Sequence, residues 1–255
     1  QSSAEKVVPS GRDESINAPF EEEVRTREVA LRETLAFARK ERHGQLRRSA
    51  GQYLLAQLEL EKYPEETFTQ ILGAGDIHPL NVRIWQRYLA KTAIYPHPVF
   101  LPWHKFAALD PARFGQDAPG VVAALQALPE NALHPEVARA FSTPPAHMRE
   151  VAQRYGALLA TAESRATQAA KGVRTAETPF AGDSLHAVLY GADSPCLVPD
   201  EDLVNFEWFF PTALVVNLWK KQGELDRFII KAPELVPFSN ILVDRPEPCS
   251  PRVFK

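Results

Sequence analysis

Glycine is scarce in this chain and cysteine almost absent, 12 and 2 among 255 residues, while proline is plentiful at 22. Few glycines argue against many tight β-hairpins, and abundant prolines fit helices joined by stiff turns. The two cysteines, Cys196 and Cys249, lie far apart and form neither C-x-x-C nor C-x-x-C-H. Zinc ribbons, thioredoxin chemistry and covalent haem attachment therefore find no support, and no cofactor is expected in this segment. No apolar run approaches the roughly 20 residues that a bilayer demands; "FFPTALVVNLW" is broken by proline and asparagine. Charge of a single sign is lacking too. The 29 basic and 32 acidic residues leave a net charge of −3, no field to gather nucleic acid or an anionic membrane. Also missing are the G-x-S-x-G elbow, the G-x-x-x-x-G-K-[ST] loop, the G-x-G-x-x-G fingerprint and the H-E-x-x-H pair, which removes the common motif-bearing enzyme classes. The histidines have no spacing that suits a metal.

What is present is helical periodicity. From 18 to 63, Phe20, Val24, Leu31, Leu35, Ala38, Leu46, Ala50, Tyr53, Leu54 and Leu58 recur near heptad spacing with Glu and Arg between them. One long amphipathic helix is expected there, about 65 Å if continuous, with its kink at Gly44 or Gly51. Its partner is the segment 145–171, where Thr143 is the expected cap, Pro144 suits the first helical position, and Met148, Val151, Tyr155, Leu158, Leu159 and Ala162 make a stripe. Between them "EETFTQILG", "PLNVRIWQRYLAKTA", "HPVFLPWHKFAAL", "GVVAALQAL" and "PEVARAFS" read as short helices closed by Pro, Asn or Ser. Farther on, "DSLHAVLY" and "PTALVVNLWKKQGELDRFIIKAP" are helical and "FSNILVDRPEPCSPRVFK" is extended. The expected fold is mainly α: a long antiparallel helical pair, a compact helical head and a short extended C-terminal segment. Its divisions are a flexible lead at 1–17, arms with inserted head at 18–172, and a helical subdomain at 173–255. The apolar, proline-flanked end reads as a cut chain, and Ile241 to Val243 and Arg252 to Phe254 should be extended.

The densest unusual chemistry is "YPHPVFLPWHK", where His97, Trp103 and His104 stand among prolines. A rigid aromatic rim holding an imidazole suits a sugar or another small polar ligand. The same spacing suits ordinary core packing, with Phe100 and Trp103 as anchors and His104 bonded to a backbone carbonyl. In "PDEDLVNFEWFF", Asp200, Glu201, Asp202 and Glu207 offer paired carboxylates for acid–base work, or charge and a cap for a helix N-terminus. Cys196 and Cys249 are two buried thiols or one disulfide.

At "WQRYL", "PVFLPWH", "VLYGADSPCLVP", "NFEWFF", "LWKKQGELDRF" and "LVDRPEP" the chain resembles the planctomycete cytochrome C domain family, large secreted proteins that also carry paired domains of unknown function. The resemblance runs from about Phe20 onward. It implies an internal segment of an exported, multidomain polypeptide, other domains of that polypeptide as partners, and an oxidising compartment in which a Cys196–Cys249 bridge becomes an option. The family's haem motif has no counterpart here, and no catalytic residue carries over. Three readings follow: a non-catalytic helical scaffold or interaction region; part of a polysaccharide-degrading or glycan-binding enzyme; and support for an electron-transfer protein whose haem lies outside this segment.

Overall fold

A computed structural model of the chain describes residues 4–9, 14–64, 71–73, 75–95, 97–171, 183–199, 206–231 and 238–243. The architecture is mainly α. Contacts divide the chain into two compact units, one formed by 1–36 with 216–255 and the other by 37–215. This division crosses the boundaries expected at 17 and 172.

In the first unit, strand β1 (Ala4–Pro9) pairs antiparallel with β2 (Phe238–Val243), Ala4 facing Val243 and Pro9 facing Phe238. The lead expected to be flexible thus contains a strand. "AEKVVP" carries two β-branched residues, and its partner lies more than 220 residues away, beyond the reach of local pattern. Ile241 to Val243 are extended as expected, but their strand partner is the N-terminal segment; Arg252 to Phe254 lie outside the described residues. Helix α1 (Glu14–Arg48) begins four residues before the expected start and gives its first part to this unit. The last helix, α9 (Thr212–Ile230), gives most of its length. Phe20 stacks on Phe228 at 5.1 Å, and the Arg27 guanidinium lies 4.6 Å over the same ring.

The second unit holds the head. α1 ends at Arg48, and after a turn at Ser49 the chain re-enters α2 (Ala50–Ala56) and a 3-10 stretch, Gln57–Lys62. The break falls between the two glycines that the sequence singles out. Gly51 is where a backbone must come close: a Cβ there would stand 2.8 Å from the Cα of Gly156 in α7 (Met148–Ala170). Arg47 meets Glu163 at 3.4 Å and Glu59 meets Arg149 at 2.7 Å. These contacts tie α7 to residues 47–59, and pairing of the whole of 18–63 with 145–171 extends beyond them.

α7 starts at Met148, later than expected: Pro145 disfavours the helical region at Pro144, and His147 is extended, with φ −162° and ψ 166°, which puts the helix boundary after it. The cap is His147 rather than Thr143: its Nδ1 accepts from the Glu150 amide, and Glu150 Oε2 accepts from the amide of Ala146, one residue before the cap. Around α7 are α3 (Pro79–Ile94), α4 (Leu101–Ala107), α5 (Phe114–Gln126), α6 (Pro135–Ala140) and α8 (Ser184–Tyr190). α3 and α6 each take Pro in their first turn behind a histidine at the N-cap position, and in α6 that ring, His134, accepts from the Glu136 amide. α5 starts six residues before the expected Gly120 and keeps Pro119 inside it. "EETFTQILG" falls largely outside the described residues.

Tyr155 is the hub of this core. Fully buried, its hydroxyl donates to the Val99 carbonyl at 2.6 Å and accepts from the Trp103 amide at 3.2 Å. Phe100, Trp103 and Phe141 pack on its ring at 5.2, 5.9 and 5.0 Å. Donor and acceptor are both satisfied, so the hydroxyl locks α7 to the α4 entrance without an unpaired polar group.

Candidate functional site

Among the described residues, the packing of α4 leaves one of its sides open. There, residues from α3, α4, α5, the 3-10 stretch and the start of α7 enclose a pocket of about 570 Å³, within the range of small-molecule sites. Its floor is made by buried Leu89, Trp103, Phe106 and Phe114. Exposed Gln86, Ala90, Ala93, Ala107, Pro111 and His147 stand around it, with Gln57, Leu58, His104, Leu109 and Met148 between. Among the described residues, none that lines the pocket carries a carboxylate, a cationic chain, a hydroxyl or a thiol.

Two of the three residues singled out from the sequence meet here. Trp103 is 5% exposed and gives its edge to the floor. His104 is half-buried, and desolvation holds its pKa below the usual 6.5. The Thr92 hydroxyl donates its single hydrogen to the Leu89 carbonyl at 2.8 Å, so at its 3.0 Å contact with His104 Nε2 it accepts. His104 therefore carries its proton on Nε2, and Nδ1 is a bare acceptor. Gln57 is arranged alike: both amide hydrogens are used, on Tyr53 and Val82 carbonyls at 3.1 and 3.0 Å, which leaves Oε1 to accept.

His97 is elsewhere. Its Nδ1 accepts from the Val99 and Phe100 amides at 3.2 and 3.3 Å, which caps the chain where it enters α4. Burial, and then the neighbouring His104, lower its pKa. Proline-rich surroundings drew attention to all three residues, but His97 uses its imidazole on backbone. Gln57, Gln86 and His147 belong to the pocket and escape sequence reasoning, since lone amides and a lone histidine carry no spacing.

Of the acidic candidates, Asp200, Glu201 and Asp202 and the Glu207 side chain lie outside the described residues. A smaller recess of about 350 Å³ beside α5 brings Lys105 and Asp117 to its wall, one carboxylate without a second. Cys196 is buried, and desolvation lifts its thiol to about 12, which holds it protonated. Cys249 is outside the described residues. Among the described residues no group of three or more His, Cys, Asp or Glu could hold a metal, and no helix is long and apolar enough to cross a membrane. No family model, curated protein or solved structure matches the chain.

Proposed function

We propose that this chain is a non-catalytic helical scaffold and interaction region of an exported, multidomain protein, with the head pocket as its point of binding. The observation that carries the reading is the pocket lining. Glycoside hydrolysis in its usual form takes two carboxylates, and acyl or phosphoryl transfer takes a nucleophile, a cation or an oxyanion cradle; among the described residues the lining offers two imidazoles and two amides in an apolar wall. A sugar is recognised by many polar contacts and an open ring face, whereas Trp103 is almost wholly packed. Export and neighbouring domains rest on the family resemblance given above.

The test is incubation of the whole chain, native and Trp103→Ala, with a panel of neutral and sulfated polysaccharides. The expected result is no released oligosaccharide and no retained glycan with either protein. Product formation by the native chain that Trp103→Ala abolishes would overturn the reading in favour of an enzyme.

A further inference from the structure

We infer that the head pocket binds an uncharged, mainly apolar small molecule that presents an O–H or N–H donor to His104 Nδ1. The inference rests on the proposed binding role of this pocket and names the ligand class. Volume sets the scale: about 570 Å³ accommodates one or two fused rings or an equivalent aliphatic body. Charge complementarity sets the neutrality. An ion of either sign would leave water for a wall whose described residues carry no opposite charge, and desolvation without a partner is strongly unfavourable. Burial lowers the His104 pKa, which works against its supplying a counter-charge to an anion.

The polar inventory sets the donor. Among the described residues, the two half-buried polar groups of the lining, His104 Nδ1 and Gln57 Oε1, are both acceptors with no protein hydrogen to accept. The donors, the Gln86 amide and the His147 Nε2–H left by that ring's capping bond, belong to exposed residues. A molecule that fills the pocket without a hydrogen to give strips water from the two acceptors and returns nothing, a penalty of the size of a lost hydrogen bond. Thr92 acts behind His104: by accepting from Nε2 it fixes the tautomer that keeps Nδ1 bare.

The experiment is calorimetric titration of the whole chain at pH 7 with four probes of similar shape: 1-naphthol, naphthalene, 1-naphthoate and 1-naphthylmethylammonium. 1-Naphthol should bind at least tenfold tighter than naphthalene and than either ion. In His104→Leu the preference for naphthol over naphthalene should shrink to within about threefold; Thr92→Val, which keeps the shape and frees the tautomer, should reduce the preference while naphthalene binding stays constant. Equal affinities in the native protein, a preference that survives both substitutions, or no binding of any probe would overturn the inference. If His104→Leu does not fold, Thr92→Val decides. Failure of the underlying reading shows differently: chromatography would find a probe chemically altered after incubation, whatever its affinity.

Discussion

At His78 burial works against ionisation. The ring is fully enclosed, and desolvation, followed by the nearby Arg42 guanidinium, lowers its pKa from 6.5 to about 4. Arg42 is itself buried, bonded to the Phe209 carbonyl at 2.8 Å and to Asn81 Oδ1 at 3.1 Å. Between about pH 4 and 6.5 the unfolded chain binds a proton at this position that the folded chain refuses, so stability rises with pH across that window and is lost as pH falls through it. The limiting slope is roughly 1.4 kcal/mol per pH unit. His97 and His104, also lowered, act in the same direction. Chemical denaturation at pH 7.0 and 4.5 should show lower stability at 4.5, and His78→Gln should narrow the difference. A pH dependence unchanged by that substitution would mean that the ring is not desolvated as described.

Among the elements, the Gly51–Gly156 crossing makes the sharpest demand. An alanine Cβ at 51 would sit 2.8 Å from backbone that has no flexible end to move aside, so Gly51→Ala should destabilise by about 1–3 kcal/mol. Gly120, exposed within α5 and with nothing within 4 Å of its would-be Cβ, is the contrast. Gly120→Ala should stabilise by about 0.5–1 kcal/mol. Thermal melts of the two variants should move in opposite directions; a melt for Gly51→Ala that rises or stays put would mean that α2 and α7 do not approach as described. The helices themselves were legible because apolar spacing and proline placement are local properties, as α3 and α6 illustrate. The start of α7 differs from its expected place for a local reason: Pro144 suits a first turn, but Pro145 after it disfavours the helical region there and His147 takes the cap. β1 was illegible, since six residues become a strand only through a partner at the far end of the chain.

For the whole molecule, the sequence pointed to the neighbourhood of the pocket and missed its form. Trp103 and His104 stood out by chemistry, but Leu89, Phe106 and Phe114 come from three different helices and carry the spacing of ordinary core. Concavity arises where no described element covers them, and no local pattern records that. The central claim is that this concavity is a binding site. It is tested most directly by filling it from the rim, where Ala90 and Ala107 are exposed helix positions, so that Ala90→Phe with Ala107→Phe should leave the melting temperature nearly unchanged. The measurement is the affinity of 1-naphthol for this double variant beside the native chain. The account predicts a loss of more than tenfold in a folded protein; undiminished affinity in the folded, filled variant would contradict it.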